Sequence, residues 1–228
     1  MRNLTSLLFA AGLAFLLLVL TLQLPFGHTP MVVGERILEQ GARDTGAANL
    51  VTSVVLGYRG YDTLGELSIL FTASLALGVV LGRRRCDAPR DPDAGLVLRA
   101  GADLLFPLLL VVGLYIILHG HLTPGGGFQG GVIIAAAFFL PILARPSRGM
   151  NHAVLGWIEA LAGAGFILIG LAALHQGGQF LQPLLEKGTL GRLFSGGTLP
   201  LLYVLVGVKV GAELAGLLVN LADAEAAE

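Results

Sequence analysis

Residues 199–221 read Leu199-Pro200-Leu201-Leu202-Tyr203-Val204-Leu205-Val206-Gly207-Val208-Lys209-Val210-Gly211-Ala212-Glu213-Leu214-Ala215-Gly216-Leu217-Leu218-Val219-Asn220-Leu221. As a helix rising 1.5 Å per residue this stretch is about 34 Å long, enough to cross a hydrocarbon core of about 30 Å. Only Lys209 and Glu213 are charged within it. Further apolar runs lie upstream at residues 4–24, 64–81, 104–118, 128–143 and 153–174. Each spans or nearly spans a bilayer, so the chain is predicted to be all-α, a polytopic membrane protein with about six transmembrane helices. The run at 128–143 is the least regular: it is short, Gly-rich at its start and carries Pro141. It reads either as a tilted span or as a partly re-entrant element held by its neighbours. The run at 4–24 leads into Pro25-Phe26-Gly27-His28 without a small-x-small cleavage signature, so it reads as a retained span.

Composition agrees. Of the 228 residues 55% are hydrophobic and 13% charged, against roughly 25% charged in soluble domains. Lys plus Arg number 14 and Asp plus Glu 15, giving a net charge of -1. With that balance and no basic helix or aromatic platform, nucleic acid is not an expected partner. Cys86 is the single cysteine, which excludes intramolecular disulfides and thiolate-rich metal centres.

Basic residues suggest an orientation. With both termini cytoplasmic, the inner segments hold Arg2, Arg83, Arg84, Arg85, Arg90, Arg99, Arg145 and Arg148, and the outer ones Arg36, Arg43, Arg59, Lys187 and Arg192. The Arg83 to Arg85 cluster abuts a span end, where the positive-inside rule is strongest. The polar, Pro-punctuated stretch around Asp87 to Asp93 divides the chain into a two-span unit (1–85), a cytoplasmic linker (86–99) and a four-span unit (100–228). Neither unit is large enough to enclose an ion path alone, which hints that the chain belongs to a larger assembly. No internal repeat of the secondary-transporter kind is evident.

The polar residues inside the spans need explaining. A Lys at a helix centre costs roughly 2.5–3.5 kcal/mol on insertion scales, and Lys209 has Glu213 one turn on, on the same face. Three readings stand: an intrahelical ion pair that orients the helix, a station on a proton or cation route, or a snorkelling lysine. Glu159, two turns into the fifth run, is either a proton-transfer carboxylate or an interhelical hydrogen-bond partner. Its helix and that of Lys209 are the best candidates to face one another. Asp103 and His119 bracket the third run, about 24 Å apart along a helix. Asp103 reads as a cap or dipole partner or as a path residue, and His119, with His121 beside it, as structural or as a surface proton carrier. A metal site is not expected, for His119-x-His121 lacks companion ligands in the sequence. Glu66 follows Thr63 by three residues, a capping-box pattern that explains it structurally, although it also stands where an ion route would open.

Two other tracts stand out. Residues 44–56, from Asp44 to Leu56, mix small polar and apolar residues and are expected to form one short interfacial helix capped by Asp44 or Thr45. Gly125-Gly126-Gly127-Phe128-Gln129-Gly130-Gly131 lacks the Lys-Ser/Thr of a phosphate loop and suits close helix packing instead. No nucleophile–base arrangement or cofactor motif is present, so no cofactor and no bond chemistry are expected.

These tracts carry a resemblance. Asp44-Thr45-Gly46-Ala47-Ala48-Asn49-Leu50-Val51-Thr52, with Gly57-Tyr58-Arg59-Gly60-Tyr61-Asp62-Thr63-Leu64-Gly65-Glu66, resembles the E-type subunit of archaeal membrane-bound hydrogenases and the C-terminal end of the large A-type Mrp subunit. Gly120-His121-Leu122-Thr123-Pro124 with the following Gly tract, and the run from Gly207 to Glu213, resemble the B-type subunit of Mrp sodium/proton antiporters and the F-type hydrogenase subunit. The resemblance spans roughly residues 28–220; the loop at 175–197 adds little to it. It implies one component of a complex evolutionarily tied to the membrane arm of respiratory complex I, in a prokaryotic cell membrane. Large antiporter-like subunits and other small membrane subunits are the implied partners, with Na+ and H+ as transported ions. It makes Glu66, Lys209 and Glu213, which lie inside the quoted motifs, candidates for the ion or proton path, and Asp103, His119 and Glu159 join them mainly by their placement in this chain. Asp44, Asp62, Thr63, Gly125, Gly126, Gly127, Gly130 and Gly131 are the motif positions with a structural role. A two-part chain of this kind departs from the usual separate arrangement and leaves a plain antiporter, a hydrogenase-linked complex and another redox-coupled complex open.

Overall fold

Eight α-helices form the described residues of the computed structural model, which are 2–24, 31–81, 94–146, 150–176 and 178–225, and none of these residues is in a strand. In chain order the helices are α1 (Arg2–Gln23), α2 (Val32–Thr45), α3 (Leu50–Thr52), α4 (Gly60–Leu81), α5 (Leu96–Leu118), α6 (Gly127–Ala144), α7 (His152–His175) and α8 (Leu199–Glu225). Six of them, α1 and α4 to α8, are long and apolar enough to cross a membrane. Pro25 to His28, the Arg83 to Arg85 cluster, Cys86, Arg90 and Arg148 lie outside the described residues.

The chain forms two structural units, Met1–Arg36 and Ile37–Glu228. In the first, the span Leu4–Gln23 of α1 is apolar and none of it is buried. The second is organised around α8. Of its apolar window 61% is buried, against 6% for α4 and 17% for α5 and α7, which makes α8 the axis of the bundle. Helices α4, α6 and α7 pack on it, and α5 packs chiefly on α6. Phe166, Ile117, Leu202, Val206 and Val210 are among the largest buried apolar side chains of its core.

Glycine sets the separation of α6 from its neighbours. A Cβ at Gly131 would stand 2.8 Å from Val210 Cβ and 2.9 Å from the Gly207 carbonyl oxygen on α8. One at Gly130 would run into Ile117 and the Gly113 backbone on α5. The Gly tract is therefore a packing surface. Within the tract, Gly126 precedes α6 with φ 142°, which an L side chain rarely adopts. On α8, Gly207 and Gly211 face Ile117 and Ile134, so they serve close helix approach.

Several boundaries differ from expectation. Helix α5 starts at Leu96, inside the stretch expected to be a linker, because Leu96-Val97-Leu98 already continues its apolar pattern. Helix α6 is one continuous helix with Pro141 tolerated in its last turn. Residues 44–56 do not form a single helix. Helix α2, which the sequence did not signal, ends at Thr45, and Gly46 turns the chain with φ 73°. A new helix then starts at Leu50 with the Asn49 side chain accepting from the Val51 amide at 3.0 Å, and runs through α3 into a π-helical segment, Ser53–Tyr58. The capping box is not formed either: α4 starts at Gly60, so Thr63 lies within its first turns, and the Thr63 hydroxyl donates to the Val55 carbonyl at 2.7 Å. That bond serves a carbonyl of the π-helical segment, where the regular backbone ladder is interrupted.

Candidate functional site

Lys209 lies between two carboxylates. Its Nζ donates to Glu213 Oε2 at 2.9 Å, one turn along α8, and to Glu159 Oε1 at 3.2 Å across the α7–α8 interface. Lys209 is 7% and Glu213 2% exposed, whereas the Glu159 side chain retains 20%. The lysine stem passes Gly163, where an added Cβ would lie 3.5 Å from its Cδ, so the small residue on α7 admits the charged chain. The Phe71 ring of α4 lies 5.3 Å from Nζ and adds its negative face to the ammonium's surroundings. Glu213 Oε1 is buried without a hydrogen-bond partner among the described residues. Two carboxylates and one ammonium thus share a nearly closed space inside the spans, with one oxygen free to take a proton or a water. Burial in a low dielectric gives each of these charges a strong dependence on the other two.

The remaining predicted residues lie elsewhere. Asp103 is the eighth residue of α5, too far along to cap it. Both its carboxylate oxygens accept from the Arg145 guanidinium at the end of α6, at 2.8 and 2.6 Å, a fork that ties α5 to α6. His119 ends α5; its ring stacks on Tyr115 at 4.1 Å, with Nδ1 3.1 Å from the Tyr115 carbonyl oxygen. Glu66 is exposed on α4 and takes no part in the hydrogen bonds of the triad. Asp44 accepts from the Tyr58 hydroxyl at 2.7 Å, and Asp62 pairs with Arg59. No group of three or more His, Cys, Asp or Glu side chains suited to a metal occurs among the described residues.

A polar layer at the end of the bundle holding the α5–α6 loop joins the two long motifs, and the sequence did not signal it. Asn49 donates to the Gly120 and Thr123 carbonyls at 2.8 and 2.9 Å. The buried Thr52 hydroxyl donates to the Gly120 carbonyl at 2.7 Å and contacts the Tyr203 hydroxyl at 2.8 Å. Thr45 and Ser53 pair beside them at 2.7 Å. His121, fully buried, donates through Nε2 to the Leu193 carbonyl at 3.1 Å. Burial holds its protonation below the ordinary value of 6.5, the carbonyls of Leu193 and Arg192 oppose this, and His119 adds to it. Residues 178–198, which hold most of the 175–197 loop that added little to the sequence reading, thereby close this end. Clues existed only as Thr52 and the Gly120-His121 pair within their motifs, with Tyr203 outside any motif; nothing in the sequence paired them.

The fold and the triad define a class, that of helical membrane proteins with an ion-pair network between membrane-length helices. Residues 97–216, more than half of the chain, match the family described as a domain related to the MnhB subunit of Na+/H+ antiporter, and the chain belongs to that family. Residues 2–92 match the family described as the E subunit of MBH. An uncharacterized protein of Methanocaldococcus jannaschii is 34% identical over 74% of each chain. Among solved structures, a chain of the membrane-bound sulfane sulfur reductase, an archaeal respiratory membrane complex, is 41% identical with a TM-score of 0.80, covering 96% of this chain and 97% of that one. A chain of the Mrp complex from Dietzia sp. is 27% identical with a TM-score of 0.74, covering 96% of this chain and 26% of that one.

Proposed function

We propose that this chain is a membrane subunit of a multi-subunit cation/proton antiporter complex, with Na+ as the exchanged cation, and that Lys209, Glu159 and Glu213 carry its share of the proton path. The observation that carries the reading is the ammonium held between two carboxylates, one of which has a free, buried oxygen. Moving one proton onto or off Glu213 changes how Lys209 divides its hydrogen bonds between Glu213 and Glu159. The triad thus couples protonation to the α7–α8 contact without any bond chemistry. The complex lies in a prokaryotic cell membrane, with both chain termini cytoplasmic and large antiporter-like and small membrane subunits around it. The division into a two-span unit, a linker and a four-span unit is part of the proposal, and the two family matches on either side of residues 93–96 support it.

The test is transport in membrane vesicles by complexes whose assembly is verified. Glu213→Gln and Lys209→Ala are expected to assemble and to lose sodium-dependent proton movement; normal transport by both assembled variants refutes the relay. A second reading, a structural component of a redox-driven ion-pumping complex, has its own support in the 41% identity to a chain of a respiratory complex. Loss of the assembled complex in both variants would favour it.

A further inference from the structure

The three helices around the Lys209 ammonium meet a second time, at the end of the bundle closed by residues 178–198. Gly60 opens α4, Gly170 lies near the end of α7, and Thr198 immediately precedes α8. Along the chain these positions are separated from Phe71, Glu159 and Lys209 by the same interval, about 16.5 Å of helix. Three equal arms thus join the two meeting points.

Residues 180–184 hold the helices at that end. The Phe180 ring stacks on Tyr61 of α4, with centroids 4.8 Å apart and planes at 27°, and it fills the notch at Gly170, where a Cβ would overlap it. Leu181 is 4% exposed and seats against Gly60, where a Cβ would lie 2.7 Å from its Cδ1. The Leu184 amide donates to the Thr198 hydroxyl at 2.8 Å. Leu181 also has φ 63°, and it is the one non-glycine residue with positive φ among the described residues. Where the segment only turns, at Gly188, Gly191, Gly196 and Gly197, glycine takes up positive φ without strain. A leucine held in that conformation is kept for what its side chain touches.

At the triad, the contacts between helices have little slack. Nζ to Glu159 is 3.2 Å, the long end of the hydrogen-bond range, and the Phe71 centroid at 5.3 Å is close to the cation–π limit of about 6 Å. The Glu213 bond, at 2.9 Å, lies within α8 and does not depend on helix spacing. Helix α4, with 6% of its window buried, gains little hold from the bundle itself. We infer that Phe180 and Leu181 are positioning residues of the triad, a clip that sets how closely α4 and α7 bring Phe71 and Glu159 to Lys209. It rests on the triad being the functional site, as the proposed function does, but concerns the geometry of that site and not the passage of protons.

Leu181→Gly tests it, because glycine keeps the backbone turn and removes only the seat. The readout is the temperature at which half of the chain has left the purified complex, and the shift that Glu159→Gln causes in it. Glu159→Gln is expected to lower that temperature in the native background, and by half as much or less in Leu181→Gly, where the contact it reports is already loosened. Glu213→Gln, which reports the contact within α8, is expected to shift it at least as much in Leu181→Gly as in the native background. Substitutions this far apart otherwise add. A clip that serves stability alone therefore leaves the Glu159→Gln shift unchanged, and that result overturns the inference. So does a Glu159→Gln shift absent from the native background, or a Glu213→Gln shift that shrinks along with that of Glu159→Gln. If Leu181→Gly does not assemble, Phe180→Leu, apolar but without the stacked ring, carries the same test. No transport is measured, so a triad that relays no protons leaves each of these outcomes readable.

Discussion

Replacing Lys209 by Met removes the ammonium while keeping most of the side-chain volume. In the native triad the side chains of Lys209 and Glu213 are 9% and 0% exposed and that of Glu159 20%, so water screens the charges little. Glu213 Oε1 already lacks a partner; without Lys209, Oε2 loses its own at 2.9 Å and Glu159 loses one at 3.2 Å. Breaking one side of a buried ion pair costs about 3–5 kcal/mol. Converted at about 2–4 °C per kcal/mol for a chain of 150–250 residues, that lowers a thermal midpoint by about 6–20 °C. Glu213→Gln leaves Lys209 with Glu159 and costs less, about 1–3 kcal/mol, the penalty for a disrupted buried hydrogen bond. The double variant Lys209→Met/Glu213→Gln removes a buried carboxylate together with the ammonium, and it is expected to recover at least half of the single variant's loss. The assay heats the purified complex in steps and measures how much of the chain stays associated after gel filtration. A double variant no more stable than Lys209→Met would refute the reasoning, because the loss would then not come from an uncompensated charge. A Lys209→Met complex as stable as wild type would refute the burial of the triad.

Two further outcomes follow from the packing and the polar layer. Gly131→Ala puts a methyl group 2.8 Å from Val210 Cβ and 2.9 Å from a backbone oxygen. It should destabilise the chain by about 1–3 kcal/mol, as overpacking does, while Gly101→Ala, with nothing within 4 Å, leaves the same thermal midpoint unmoved. His121 binds its proton less readily folded than unfolded. The layer is therefore fully stable above about pH 6.5, the unfolded value, and weakens as pH falls below it toward the lower folded value. Amide exchange of residues 185–197, corrected for intrinsic rates, should speed up between about pH 7.5 and about pH 5.5, and His121→Asn should flatten that change; equal protection at both pH values would contradict the stated cause.

The legible part of this protein is what periodicity and hydropathy encode. Six runs of apolar residues each became a membrane-length helix, because a lipid-exposed segment has to satisfy its backbone internally and a helix does so within one stretch of chain. The pairing of Lys209 with Glu213 was equally local, set by four residues of spacing on one helix. Where the reading failed, a local pattern was outweighed by a partner distant in sequence. Thr63 fits a capping box, yet its hydroxyl is drawn to the Val55 carbonyl. Asp103 looks like a cap, yet Arg145 engages it from 42 residues away.

Sequence by itself therefore determined the class of fold, the placement of charge at mid-span and the family motifs, all of which depend on residues near one another along the chain. Only the tertiary structure decided that Glu159 joins Lys209 from another helix, that Thr52 and Tyr203 meet across 151 positions and that the segment before α8 closes over His121 through Leu193. Those contacts depend on how α8 lies against α4, α6 and α7. That arrangement comes from the summed fit of glycine notches and side chains on several helices at once, which no single segment encodes.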